Sequence, residues 1–238
     1  MAYILCIESA TGICSVALLN NEQLVATIEL KETNAHAGQL TILIDEVLRI
    51  SGVGMNDLGA IAVSKGPGSY TGLRVGVSTA KGLCYALDIP LIGVETLDSL
   101  ANHFISTTNF KPFIQRSFNE VGQTSNYFIP MLDARRMEVY CKVFDENMKV
   151  VRDTKAEIID EISFQEFLEK GTVYFFGEGS SKCKKMIPHA NAIFVDGIKC
   201  HAKYMAEAAY RSFSKNDFED VAYFEPFYLK DFVGTKPE

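Results

Sequence analysis

The order of its predicted secondary-structure elements constrains the fold of this chain more than any single motif does. Three strand-like runs at 3–9, 13–20 and 23–30 are separated by short turn-rich breaks, which is typical of an antiparallel meander. The pattern then predicts a helix over 34–51 capped by Asn34, a strand at 60–64, a helix ending at Asp88, a strand at 90–94 and a helix from Leu97. The first half therefore has the order βββαβαβα.

The second half of the chain repeats this order. Strands are predicted at 127–133, 137–145, 149–159, 172–177 and 192–195, and helices at 163–170, from Ser180 and over 200–214. No residue-level repeat is evident, so the duplication rests on the pattern alone. We expect an α/β fold of two actin-like, ribonuclease-H-like lobes facing each other across a cleft, as in actin, hexokinase and Hsp70.

The predicted domains are a first lobe at 1–106 and a second lobe at 127–238. The polar, weakly patterned segment 107–126 is predicted to be a linker or surface excursion between them. The C-terminal tail from Tyr223 is aromatic, and we expect Phe224, Phe227 and Tyr228 to dock, with the tail packing back on the first lobe.

Composition narrows the class of protein. The chain has 238 residues, of which 47% are hydrophobic and 22% charged, as in ordinary globular proteins. No apolar run approaches the ~20 residues of a membrane span, and the start lacks a basic leader, so we expect a cytoplasmic protein that does not enter membranes. The formal net charge is −7, whereas proteins that bind nucleic acid without a partner usually have a basic surface. The six cysteines have no metal-knuckle spacing, so the sequence predicts buried thiols rather than a zinc site or a disulfide framework.

Two turns have the composition of a phosphate site. In the first turn, Glu8 is a candidate magnesium partner through water, and Ser9 and Thr11 are candidate phosphate donors. The second is a glycine-rich loop that opens into a helix, and its candidate nucleotide-binding residues are Gly66, Gly68, Ser69 and Thr71. ATP with magnesium is the cofactor that these residues could hold. The alternatives are a plain hairpin turn and a tight strand-to-helix turn with Ser69 or Thr71 as the cap.

The helix that follows this loop has almost no polar face. Leu73, Val77, Ala80, Cys84 and Leu87 form one apolar face, and mostly small residues form a second: Gly72, Gly76, Thr79 and Leu83. One face must pack on the sheet of this chain. The other can be covered by the helix at 34–51 or by another subunit.

A helical two-histidine metal site is absent from the helix at 34–51. His36 would need a second histidine about four residues further on, and that residue is Leu40. His36 instead lies on a stripe continued by Leu40, Leu43, Val47 and Ile50, which indicates a packing or interface role. No nucleophile motif is present either, so the sequence predicts no catalytic residue.

A charged turn in the second half is a further candidate anion site. The run from Asp133 to Glu138 combines Arg135 and Arg136 with two carboxylates between two predicted strands. It could bind a phosphate or carboxylate, or it is a solvated charged turn.

Four blocks of sequence together resemble the TsaB (YeaZ) family: ILCIESATGICSVALL, GPGSYTGLRVGVSTAKGLCYALDIPLIGVETLDSLA, DARRMEVY and the FYLK of the tail. The resemblance covers nearly all of residues 3–101 and excludes 107–126. It implies a non-catalytic partner of a TsaD-like enzyme in forming N6-threonylcarbamoyladenosine on tRNA beside the anticodon. It also implies a TsaE-like ATPase in the assembly, only indirect contact with tRNA, a homodimer when the chain is alone, and no required cofactor.

The resemblance also implies where the partner binds. Carried over by position, the interface comprises His36, Leu40, Leu43 and Val47 on one helix and Gly72, Val75, Gly76, Thr79 and Leu83 on the other. One departure is that the family usually has aspartate where this chain has Glu8. The alternative function, from the residues themselves, is a stand-alone actin-like enzyme that binds and hydrolyses ATP. A third possible function is that of a glycoprotease, which is an older label for related proteins. The sequence contains neither the metal pair nor a recognisable nucleophile that this activity would need.

Overall fold

A computed structural model describes residues 2–30, 36–107 and 125–230 of the chain. The predicted cap Asn34, residues 108–124 of the predicted linker and the last eight residues lie outside the described residues, and so does the side chain of His36. No helix in the described ranges is long and apolar enough to cross a membrane.

The first sheet has five strands in the order β3-β2-β1-β4-β5. Strands β1 to β3 are antiparallel neighbours, and β4 and β5 run parallel to β1. The elements of this part of the chain are β1 (Tyr3–Glu8), β2 (Cys14–Asn20), β3 (Gln23–Leu30), α1 (His36–Ser51), a 3-10 turn (Met55–Asp57), β4 (Leu58–Gly66), α2 (Tyr70–Leu87), β5 (Leu91–Glu95) and α3 (Thr96–Thr107).

The second sheet repeats this topology, with the order β8-β7-β6-β9-β10 and the same pattern of antiparallel and parallel neighbours. Its elements are β6 (Ser125–Asp133), β7 (Glu138–Asp145), β8 (Val150–Ile158), α4 (Gln165–Leu168), β9 (Gly171–Phe176), α5 (Ser180–Cys183), β10 (Ala192–Val195), a 3-10 turn (Ala202–Met205) and α6 (Ala206–Lys215). The predicted fold class is confirmed. Two predicted helices, at 163–170 and from Ser180, are shorter than expected.

Alternation along the central strands places a hydrophobic core on both faces of each sheet. In β1, Leu5 and Ile7 face the core under α1 and α2, whereas Ile4 and Cys6 face the opposite core. Because both faces are covered, the strands are apolar throughout, as is typical of sheets with parallel strands.

The last helix of each half packs on the sheet of the other half. Leu100 and Phe104 of α3 pack against β6 and β9, and Met205 and Ala209 from the C-terminal segment pack against β1, β4 and β5. The two compact units are therefore Met1–Thr96 with His201–Glu238, and Leu97–Cys200. These boundaries differ from the predicted 1–106 and 127–238, because periodicity shows that a helix has an apolar face but not which sheet covers it.

Candidate functional site

The two turns that the sequence singled out lie against each other at the carboxyl edge of the first sheet. The amide of Ser69 donates to the carbonyl of Ala10 at 2.7 Å, and the Ser9 hydroxyl donates to the carbonyl of Gly72 at 2.9 Å. The amide of Ser9 in turn donates to Oγ of Ser64 at 3.4 Å. The turn between β1 and β2 is thus bonded to the loop and helix that follow β4.

The glycines of this region are required by that close approach. A β-carbon at Gly68 would overlap the carbonyl oxygen of Ala10, and one at Gly72 would overlap the carbonyl oxygen of Ser9. A β-carbon at Gly76 would overlap the Ser9 hydroxyl. The first turn of this chain fills the space beside these three glycines, so a ligand or a partner is not needed to explain them.

Gly66 faces the C-terminal tail instead. Its φ is +117°, and a β-carbon there would lie 2.6 Å from the carbonyl oxygen of Phe227. The amide of Phe227 donates to the carbonyl of Lys65 at 2.6 Å, and the Tyr228 ring lies 4.7 Å from that of Tyr70, centroid to centroid.

Lys81 of α2 holds the tail further along. Its ammonium donates to the carbonyls of Ala222 and Phe224 at 3.2 and 2.9 Å, and the Phe224 side chain is buried in the core under α1 and α2. The tail therefore docks within the first unit, along the helix that follows the glycine loop.

Polar side chains are buried at the same edge of the sheet. Ser15 lies directly across from Glu8 in neighbouring strands, Ser64 lies two residues before the end of β4, and Thr96 follows β5; all four residues are at most 1% exposed. Ser15 Oγ accepts from the amide of Ala202 at 2.9 Å, and the hydroxyl of Thr96 has no hydrogen-bond partner among residues 2–30, 36–107 and 125–230. The sequence analysis found only Glu8 of this set, although a serine or threonine at the end of an apolar strand was a signal for the others.

These residues do not fit a magnesium–ATP complex well. The Glu8 carboxylate accepts from the amide of Ala10 at 2.7 Å, whereas magnesium needs an octahedron of oxygen ligands. No group of three or more metal-ligating side chains occurs within residues 2–30, 36–107 and 125–230. A phosphate needs free amides, but those of Ser9, Ala10, Ser69 and Gly72 all donate within the chain.

The other candidate nucleotide residues are placed as local structure. Ser69 caps α2 by accepting from the amide of Gly72 at 3.3 Å, and Thr71 is exposed in the first turn of that helix. Thr11 is buried, and its hydroxyl accepts from the amide of Ile13 at 3.4 Å. Nucleotide binding at this place stays a prediction that no contact of the structure supports.

The predicted partner residues separate into two groups. Leu40, Leu43 and Val47 have their side chains in the core beneath α1, and Gly72 and Gly76 face Ser9. All five residues are therefore buried. Val75, Thr79 and Leu83 are half-buried on α2. The contact with a partner itself stays a prediction.

The outward face of α2 consists of residues that belong to neither of the two faces described in the sequence analysis. It is defined here by Arg74, Ser78, Gly82 and Tyr85, which recur at helical spacing and are all exposed. The Tyr85 side chain is 86% exposed, and a β-carbon at Gly82 would meet no atom within 4 Å. On α1, Ile42 and Ile50 are also exposed, at 59% and 51%.

The second unit repeats the glycine loop, which the sequence analysis missed. Gly177 and Gly179 lie at the end of β9 as Gly66 and Gly68 lie at the end of β4, and a serine comes next in both loops. Gly177 has φ +98°, and a β-carbon there would overlap the carbonyl oxygen of Met131 in β6. The shared spacing, glycine-x-glycine-serine after a strand, was the available signal for a duplication at the level of residues.

Comparison with known proteins adds to this geometry. The family model described as TsaD: tRNA N6-adenosine threonylcarbamoyltransferase matches residues 24–233. The chain belongs to this family.

Two relatives connect the chain to the TsaB (YeaZ) members. The tRNA threonylcarbamoyladenosine biosynthesis protein TsaB of Escherichia coli (strain K12) is 28% identical over 239 residues, which cover 98% of this chain and 96% of the relative. The solved structure of YeaZ from Pseudomonas aeruginosa has a TM-score of 0.78 at 22% identity, covering 96% of this chain and all of that chain. The TsaB (YeaZ) resemblance and a role in tRNA threonylcarbamoyladenosine biosynthesis are thereby confirmed.

A transferase is also among the relatives. The tRNA N6-adenosine threonylcarbamoyltransferase of Clostridioides difficile (strain 630) is 29% identical over 157 residues, 66% of this chain and 44% of the relative. The chain thus resembles both the enzyme of the pathway and the proteins named TsaB.

Proposed function

We propose that the chain is a non-catalytic subunit that binds a TsaD-type enzyme during the formation of N6-threonylcarbamoyladenosine on tRNA. The outward face of α2 is the surface that it offers. A TsaE-like ATPase joins the assembly, and the TsaD-type enzyme holds most of the tRNA. When alone, the chain forms a homodimer through the same face.

The low charge of this face supports the proposal, because Arg74 is the only charged one of its four residues, lies at one end, and stacks over the ring of Tyr70 at 4.3 Å. Between Arg74 and Asp88, the only charged residue of the helix is Lys81, and its ammonium is already bonded to two carbonyls of the tail. The exposed positions there are Ser78, Gly82, Tyr85 and Ala86. Interface cores are depleted of charge and rich in tyrosine, and small residues let a second helix approach closely.

The non-catalytic part of the proposal is supported by what the loops and α1 contain. The glycine loop binds the chain's own turn and tail, and the position where a second histidine would complete a metal pair is Leu40, which is fully buried. We therefore propose that the subunit requires neither ATP nor magnesium.

The test is a matched pair of serine-to-arginine substitutions. Ser78→Arg places a charge in the middle of the outward face of α2. Ser214→Arg places the same charge at an exposed position of α6, a helix that packs on the opposite face of the sheet. We expect Ser78→Arg to abolish co-elution with the TsaD-type enzyme on size exclusion and to abolish tRNA modification, while Ser214→Arg retains both. Both variants should keep the thermal midpoint of the parent, because both sites are exposed.

Co-elution of Ser78→Arg with the enzyme would contradict the proposed surface. Modification of tRNA by the purified chain alone would contradict the non-catalytic role. Calorimetry of the chain with magnesium–ATP tests the alternative of a stand-alone ATPase, and we expect no heat of binding.

A further inference from the structure

The turn between β6 and β7 and the residues directly after the short helix α5 carry exposed cations, which together are called the basic corner here: Arg135, Arg136, Lys184 and Lys185. Lys182 joins the two elements, because its ammonium donates to Oδ1 of Asp133 at 2.6 Å and to the carbonyls of Arg136 and Glu138, both at 2.7 Å. The corner is therefore held in one arrangement within the second unit, and the charge of the Asp133 carboxylate is paired.

The four cations of the corner are exposed and available. In the part of the chain that the structure describes, none of them is in an ion pair, although Lys182 beside them is. These two pairs of cations, on segments that Lys182 joins, contrast with the formal net charge of −7 of the whole chain. Such a local excess of positive charge attracts polyanions.

The backbone of the turn is unusual for arginine. Arg135 has φ +71° and Arg136 has φ +47°, a left-handed region that residues other than glycine, asparagine and aspartate rarely adopt. A turn that served only to connect two strands would be formed more easily by Asn-Gly. The geometry of the turn therefore does not account for arginine at these two exposed positions.

We infer that the basic corner contacts the phosphate backbone of the RNA substrate, as a local contact beside the main grip of the partner enzyme. This inference rests on the proposed function. Guanidinium groups bind phosphate oxygens with two parallel hydrogen bonds, and lysines add charge. The cations are spread over two exposed turns, which fits an extended polyanion better than a free nucleotide.

The decisive variant is the double substitution Arg135→Asn with Arg136→Gly. It removes both charges but installs the residues that the left-handed backbone favours, so the thermal midpoint should stay equal or rise. It also keeps the backbone carbonyl of residue 136 that Lys182 binds. If the two arginines serve only the structure of the turn, this variant should leave RNA binding unchanged. If they bind phosphate, it should weaken RNA binding although the thermal midpoint stays equal or rises.

The assay is fluorescence anisotropy of a labelled tRNA transcript with the assembly of the chain and the TsaD-type enzyme, at several salt concentrations. For the double arginine variant we expect about tenfold weaker binding at low salt, and a slope of log K against log salt that is smaller by about 2. Lys184→Gln with Lys185→Gln should act in the same direction. The matched control, Lys149→Asn with Lys170→Asn, removes two exposed cations elsewhere in the second unit and should leave the slope unchanged.

A slope equal to that of the parent in the double arginine variant overturns the inference, and so does an equal loss in the control. If the parent chain forms no assembly with the enzyme, the proposed function fails instead. The same titration with the chain alone then decides the inference. If the basic corner binds RNA, the slope of log K against log salt should still be smaller for the double arginine variant than for the parent chain.

Discussion

Replacing Gly72 by alanine tests whether close packing of the chain on itself, rather than a partner or a phosphate, requires a glycine there. The added β-carbon would overlap the carbonyl oxygen of Ser9 and lie 3.2 Å from its carbonyl carbon. Backbone atoms must move to relieve this, and overpacking of this kind costs about 1–3 kcal/mol. The movement also strains the hydrogen bonds that Gly72 makes with Ser9 and Ser69, each worth about 1 kcal/mol. Alanine returns at most about 1 kcal/mol through its helix propensity.

We therefore expect Gly72→Ala to lower the free energy of unfolding by about 2 kcal/mol, which corresponds to a midpoint lower by about 4–8 °C for a chain of this size. Gly82→Ala is the matched control, since it is the same substitution in the same helix at a site where the β-carbon meets no atom within 4 Å. It should raise the stability by about 1 kcal/mol through propensity alone. Thermal unfolding followed by circular dichroism separates the two. Equal midpoints for the two variants would refute the close-packing argument.

Two further predictions follow from the contacts of the first unit. Lys81→Met removes the bonds from the ammonium to the carbonyls of Ala222 and Phe224, so limited proteolysis should cut the segment 222–230 several times faster than in the parent, and unchanged cutting would contradict the docking of the tail. Burial raises the pKa of the thiols of Cys14 and Cys84 to about 11, so both should stay protonated, and unreactive towards a disulfide reagent, as the pH rises from 7 to 9; rapid labelling of the native chain in this range would show that they are accessible.

The glycine loop illustrates how one sequence pattern can have different physical origins. Glycines before a helix are required wherever another backbone or a ligand comes close, and a phosphate is only one such neighbour. Here the neighbours are Ser9, Ala10 and the carbonyl of Phe227, all of this chain. The loop thus resembles a phosphate-binding loop while its amides serve the packing of the β1–β2 turn.

The outward face of α2 shows a similar limit. The pattern correctly identified a helix ending at Asp88 with Ser69 as one of two possible caps, and it identified the apolar face that contains Val77 and Ala80. It assigned Gly72 and Gly76 to a second face that needed covering. In the structure Ser9 covers these two glycines. The exposed positions Ser78 and Gly82 point away from Ser9, on another side of the helix.

The sequence by itself determined the elements, their order and their duplication, because alternation and helical periodicity are local properties that follow from where side chains point along a strand or helix. Its motifs also determined the family. Only the tertiary structure decided that α3 and α6 pack on the sheets of the opposite halves, that Leu40 and Val47 are core residues, and that the tail lies beside Gly66. The reason is that burial of apolar surface is non-directional: a pattern shows that a face must be covered, whereas the path of the whole chain decides what covers it.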